Sequence, residues 1–404
     1  MAHFVLAWEL GGGLGHVGRL LPLARALAGR GHRVTLLLRD LVQTAALLTD
    51  APGRCLQAPF WSHQTVGLPA QQASMAEILL GCGYLDGRHL AGLARGWTDA
   101  FAALGADAVV ADYAPTAVLA ARAVGVPAAV VGTGFCMPPD EAPLPSYRPW
   151  EPLAPGRLAH AEARGRDAVN VVLAAHGAPP VPRLAAVLRG DLPLLCTWAE
   201  LDHYTRTLPP GEHFHGPSLS EGEGAAPAWP AATGPRAFAY VKAGHPDHAA
   251  ALRALDASGF VTLCYLPEVA AGRAPPVAAP RLAYAAGPVD LTAALPGCAV
   301  AVCHGGEAVV ARALLSGVPV LVLPMQAEQF VFARNLERHG LGINAAARGR
   351  APDYAALVRA LRDDPGYAAR ARAFAAAHAG FSAAGQTRAF VDAFETLAAR
   401  FPAS

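Results

Sequence analysis

The sequence predicts an α/β protein made of two doubly wound parallel-sheet domains that face each other across a cleft. Three observations predict it. Short, uninterrupted apolar runs such as "HFVLAWEL" and "VPVLVLP" mark strands buried on both faces of a parallel sheet. Segments of helical periodicity recur between them in regular alternation. The alternation lapses once, in a Gly-, Pro- and Ala-rich stretch, and then restarts; a chain of 404 residues is also long for a single core.

Taken in order, "HFVLAWEL" is the first strand and "GGGLGH" its glycine turn. From Val17 the apolar residues Val17, Leu20, Leu21, Ala24 and Leu27 repeat at helical spacing, with Arg19, Arg25 and Arg30 expected to face outward. Pro22 fits if it falls in the first turn. "GRGH" ends this helix and "RVTLLL" is the second strand, which completes a βαβ unit with a right-handed crossover. "CLQAPF", "ADAVVADY" and "VPAAVVGTG" continue as strands, around a helical stretch "MAEILLGCGYLDGRHLAGLARGWTDAFAAL" with a glycine break and the helix "PTAVLAARAVG". Prolines crowd the segment from Cys136 to about Pro155, which reads as a loop over the pocket. Helical material from Gly156 to Leu188 and a strand at "LPLLCTWAEL" follow. The expected division is a first domain over 1–216, a linker over 217–235, a second domain over 236–381, and a helix over 382–404 returning to the first domain. In the second domain "AFAYVKAG", "FVTLCYL", "RLAYAAG", "VAVCH" and "VPVLVLP" read as strands.

Composition narrows the partners. Charged residues are 16% of the chain and the formal net charge is +1, so there is no electrostatic footprint for nucleic acid or an anionic membrane. No apolar run is long enough for a membrane helix, and the opening apolar run is too short for a signal segment. The seven cysteines follow no metal-ligand spacing and read as reduced, buried thiols, with no metal site and a cytoplasmic location expected.

The chemistry concentrates in "VAVCHGGEAVVARALLSGVPVLVLPMQAEQF". In an open parallel sheet, ligands bind beyond the carboxyl ends of the strands, where helix N-termini present free N–H groups. Gly305 and Gly306 would leave those amides uncovered for a diphosphate, with His304 as a further donor to a phosphate oxygen. Glu328 and Gln329 place a carboxylate and an amide where the chain leaves the sheet, a pairing suited to sugar hydroxyls or, equally, to an ordinary solvated helix start.

The spacing of the whole block, His-Gly-Gly, then Gly317-Val318-Pro319, then Pro324 and Glu328-Gln329, resembles the donor signature of the UDP-glycosyltransferase superfamily, macrolide glycosyltransferases included. "GHVGRLLPLARALAGRGHRVTLL" resembles the N-terminal segment of the same group, and "GGGLGH" is also similar to the glycine-rich loop of the peptidoglycan N-acetylglucosaminyltransferase. The resemblance implies the GT-B fold of two Rossmann-like domains. It implies inverting, metal-independent transfer from a nucleotide sugar, by default a UDP-sugar, to a small-molecule hydroxyl, with no cofactor. It further implies His16 as general base, supported by Asp112, with the diphosphate leaving on the His304 to Gly306 turn. Gly15, Gly244, Glu307, Ala308 and Val309 complete the implied donor contacts. Phe60, Trp61, Phe135 and Tyr147 are the candidate acceptor walls.

The match is incomplete. Val309 and Ala308 replace the family's hydroxyl residue and glycine after the His-Gly-Gly, and Arg312 replaces the glutamate that grips the ribose. Ala286-Gly287-Pro288-Val289 lacks the base-stacking aromatic and the glutamine, and Phe332 stands for a common Asn. Two other readings therefore stay open: a catalytically silent binding or auxiliary protein of the same fold, and a nucleotide-sugar epimerase.

Overall fold

A computed structural model describes residues 1–219 and 224–401. The chain forms two compact units, one of residues 1–198, 204–218 and 383–404, the other of residues 199–203 and 219–382. Each unit is built on one six-stranded, wholly parallel sheet.

In the first unit the strands are β1 His3–Trp8, β2 Arg33–Leu38, β3 Arg54–Gln57, β4 Ala108–Asp112, β5 Ala128–Gly132 and β6 Leu192–Leu195. They lie in the order β3-β2-β1-β4-β5-β6, so the direction of winding reverses between β1 and β4. Every residue of β1 is buried because both faces are covered. Phe4, Leu6 and Trp8 pack with the helices Gly15–Gly29 and Ala383–Arg400, the latter contributing Phe390, Val391, Phe394 and Leu397. On the other face Val5 and Ala7 meet Trp97 and Phe101 of the helix Gly87–Leu104 and the alanine-rich helix Pro115–Ala123.

Three local expectations need correction. The helix after β1 begins at Gly15, so Pro22 lies inside it and forfeits one ladder bond. Arg19 does not face outward; its side chain is only 10% exposed. The helical stretch over 156–188 is two helices, Arg157–Ala175 and Ala185–Arg189, because Pro179, Pro180 and Pro182 forbid continuous pairing between them.

The second unit holds β7 Arg236–Tyr240, β8 Val261–Tyr265, β9 Leu282–Tyr284, β10 Cys298–Cys303, β11 Val320–Val322 and β12 Gly342–Asn344. Their order, β12-β11-β10-β7-β8-β9, is the first sheet's order read from the other edge, with the reversal between β7 and β10. Ala237, Ala239, Val300, Val302, Leu321 and Ile343 form its core with the helices His248–Ala257 and Tyr354–Asp363. Of the segment expected as a linker, residues 220–223 lie outside the described residues, as do the last three residues of the chain. Residues 217 and 218 belong to the first unit, and residues 219 and 224–235 to the second, where Ala225 bridges to Val289 and the Arg236 guanidinium sits 5.0 Å above the Trp229 ring. No helix among the described residues is long and apolar enough to cross a membrane.

Candidate active site

The parallel register sets Trp8 beside Asp112, so β1 and β4 end together at the reversal point of the first sheet. The glycine turn after β1 delivers His16 in the first turn of its helix, and Asp112 is the last residue of β4. His16 Nδ1 stands 3.1 Å from Asp112 Oδ2, close but off the line of a good hydrogen bond. Asp112 is fully buried, and Arg19, one helical turn beyond His16, donates from Nη1 to the same Oδ2 at 2.7 Å. Burial alone would raise the Asp112 carboxyl. The Arg19 guanidinium and the His16 imidazole outweigh it and hold the group below the usual carboxylate range. Arg19 is thus paired with the buried Asp112, where helical periodicity assigned it to solvent.

The imidazole is fixed on its faces as well. The Trp8 ring stacks on it at 5.1 Å, with 19° between planes, and Tyr113 lies 6.1 Å away in the left-handed region at φ 47°. Nε2 makes no hydrogen bond among the described residues and looks over Gly11, whose φ is +75° and where an added Cβ would come within 2.9 Å of Nε2. Gly11→Ala is expected to push the ring and lower kcat by roughly 10–100-fold. Gly12→Ala, whose Cβ meets nothing, is the control with near wild-type rates in the same steady-state assay.

Of the four acceptor-wall candidates, the first unit brings two together. Phe60 and Trp61 line a cavity of about 870 Å³ with Thr65, Gly83, His89 and Arg164. The Trp61 indole N–H is satisfied by Thr65 Oγ1 at 3.2 Å, which leaves the ring faces for apolar contact. Phe135 and Tyr147 are buried against each other at 5.2 Å, and Tyr147 donates to the Gln72 carbonyl; neither lines this cavity.

In the second unit the turns after β7, β10 and β11 meet at the reversal point. His304 is 4% exposed, and both its nitrogens are engaged: Nε2 accepts from the Lys242 N–H at 2.7 Å and Nδ1 donates to the Leu323 carbonyl at 2.8 Å. The ring therefore has no proton for a phosphate oxygen, contrary to the sequence expectation, and serves to tie the turns after β7 and β11 to its own. Gly305 has φ +85° and its Cβ would meet Val322 Cγ1 at 2.9 Å, while nothing occupies the space before Gly306, the residue that opens the helix Glu307–Leu315. Glu307, Ala308 and Val309 form that helix's first turn. Gly244 sits against Met325, whose amide N–H is taken by Gln329 Oε1 at 2.8 Å; Glu328 and Gln329 are in the first turn of the helix Ala327–Arg338. Lys242, exposed at the end of β7, was not singled out from the sequence, although it is the chain's only lysine.

Burial pushes the His304 imidazole down to about 4. The folded second unit thus resists a proton that the unfolded chain accepts near its ordinary pKa of 6.5. The associated stability is complete above pH 6.5 and is lost as pH falls toward 4. Urea unfolding at pH 7 and pH 5 is expected to show a loss on the order of 2 kcal/mol. His304→Gln should lack that component.

The comparisons with known proteins agree with this architecture. The family model described as Erythromycin biosynthesis protein CIII-like, C-terminal domain, matches residues 274–383. The elloramycin glycosyltransferase ElmGT of Streptomyces olivaceus is 33% identical over 136 residues, 29% of this chain; the match spans only 33% of that protein's length. The solved structure of the glycosyltransferase of kitacinnamycin superposes with a TM-score of 0.70 at 20% identity, covering 98% of both chains. Glycosyltransferase VinC, solved in complex with dTDP, superposes with a TM-score of 0.62 at 17% identity, covering 98% of this chain and all of that one. With two parallel sheets of one strand order, the chain has the GT-B fold of these solved glycosyltransferases, and its residues 274–383 match the Erythromycin biosynthesis protein CIII-like C-terminal domain.

Proposed function

We propose that the protein transfers a sugar from a nucleoside-diphosphate sugar to a hydroxyl of a small-molecule acceptor, with inversion, and that His16 is the general base. The observation that carries this reading is the imidazole stacked on Trp8 and set beside the Arg19-paired Asp112, with Nε2 left open among the described residues. The acceptor O–H gives its proton to Nε2, and Asp112 beside Nδ1 stabilises the imidazolium. The oxygen forms its bond to the anomeric carbon from the side opposite the diphosphate, and the bond from that carbon to the phosphate oxygen breaks. One displacement inverts the centre. The second unit contributes the turn Gly305–Gly306 and the amides opening the helix Glu307–Leu315, with Lys242, whose backbone N–H bonds His304, as an added cation. The cavity walled by Phe60 and Trp61 suits an apolar or aromatic acceptor.

Because VinC was solved in complex with dTDP, thymidine diphosphate sugars are to be tried beside uridine diphosphate sugars. The alternative, a silent binding protein, draws on Ala308, Val309 and Arg312 and on the lack of a free proton on His304. Sugar transfer to a panel of phenolic and alcoholic acceptors, measured for wild type and His16→Ala, separates the two: transfer by wild type alone supports catalysis, and no transfer by either overturns it.

Donor binding has its own measurement. Because the chain has one lysine, reductive methylation followed by peptide mapping reads the Lys242 amine alone among side chains. Saturating UDP or dTDP is expected to slow its modification several-fold. An unchanged rate would remove Lys242 from the donor site.

A further inference from the structure

One buried carboxyl near His16 has no part in the chemistry above. Glu9, one residue beyond β1, is 0% exposed. Its Oε2 accepts from the Thr116 N–H at 2.8 Å, and its Oε1 is buried with no hydrogen-bond partner among the described residues. Thr116 is the second residue of the helix Pro115–Ala123, whose N-cap, Ala114, has no side chain able to accept. Glu9 thus performs the capping from another loop. A second bond joins the same two segments, from the Leu10 N–H to the Tyr113 carbonyl at 2.9 Å.

These ties bracket the candidate active site. Asp112 and the left-handed Tyr113 precede the helix that Glu9 caps, and Tyr113 in that conformation needs its surroundings to hold it. On the other side, Trp8 is adjacent to Glu9 and supports the His16 ring, with its indole N–H bonded to the Leu10 carbonyl at 2.7 Å. Arg39 donates to the Glu9 carbonyl at 2.7 Å and fixes the backbone there.

We propose that Glu9 is a positioning residue: by capping the helix Pro115–Ala123 from the β1 loop, it fixes Asp112 against His16. The inference rests on the reading of His16 as base. Burial moves the Glu9 carboxyl up to about 7, against the pull of its bonds to Thr116 and of Arg39. The other groups facing it, Tyr84 and Cys82, are themselves held protonated by burial, so Arg39 is the one charge beside it among these. The carboxyl can therefore be neutral or ionised near pH 7 and accept from Thr116 in either state, so an amide should replace it.

The test compares Glu9→Ala with Glu9→Gln. In the transfer assay, alanine is expected to lower kcat about tenfold or more with little change in donor KM, and glutamine to restore most of it. An arm independent of activity follows the ¹⁵N signals of His16, assigned with His16→Ala. Wild type and Glu9→Gln should share one imidazole tautomer, and Glu9→Ala should show a mixture. Unmoved His16 signals in Glu9→Ala, or a rate within twofold of wild type, would overturn the proposal. So would an activity loss that only follows the unfolded fraction and is not rescued by glutamine. Where Glu9→Ala does not fold, Glu9→Asp, one methylene short of Thr116, is read in its place with the same expected direction. A wild type that transfers nothing would sink the base assignment, while the ¹⁵N comparison would still decide what Glu9 holds.

Discussion

His16→Ala is expected to lower kcat about 10²–10⁴-fold, the range general-base removal produces, with the donor KM and the unfolding midpoint little changed. The split follows from the surroundings. The imidazole side chain is 15% exposed, so its loss opens a shallow space rather than a sealed cavity. Asp112 keeps Arg19 at 2.7 Å, so no buried charge is stranded. What disappears is the one basic nitrogen facing outward over Gly11. Steady-state rates with a fixed donor and saturating acceptor decide the matter. A variant that keeps more than a tenth of the wild-type rate would mean that the acceptor proton goes elsewhere.

Asp112→Asn is expected to damage both stability and rate. It leaves Arg19, 10% exposed, without its carboxylate partner, and stranding one member of a buried pair costs roughly 3–5 kcal/mol. The wild-type contribution depends on pH in a stated direction. Because the folded-state pKa of Asp112 is depressed, its stabilisation is present above the ordinary carboxylate pKa and is lost as pH falls through the lowered value. The variant should lack that acid-sensitive component in denaturant titrations run from neutral to acid pH. The paired replacement Asp112→Leu with Arg19→Met separates the two roles. It should recover much of the lost stability, since an apolar pair can stand in for a buried ion pair, and none of the activity. Recovery of activity in the apolar pair would show that Asp112 only balances Arg19.

The parts of this molecule legible in sequence are those whose burial writes itself as composition. β1 and β4 are covered on both faces, so their uninterrupted apolar runs identify them, and with them the places where His16 and Asp112 must emerge. β12 is three residues long and carries no such run; only pairing with β11 makes it a strand. Arg19 was misplaced because periodicity describes where a Cα points, while a long side chain along the flank of a helix can turn back to a carboxylate. Glu9 was hidden inside "HFVLAWEL", where one polar letter does not disturb an apolar run. The role of His304 depends on which turns β7 and β11 bring beside it, and that is a matter of register across the sheet.

The helix Ala383–Arg400 gives Phe390, Val391, Phe394 and Leu397 to a core whose strands all lie before residue 196. During synthesis, then, the first unit emerges from the ribosome unfinished, with one face of its sheet missing a layer, while the whole second unit is made. The second unit can close its core first. The order of completion is the reverse of the order of translation, and the exposed underside of β1, β2 and β4 is the surface a chaperone would meet in the interval.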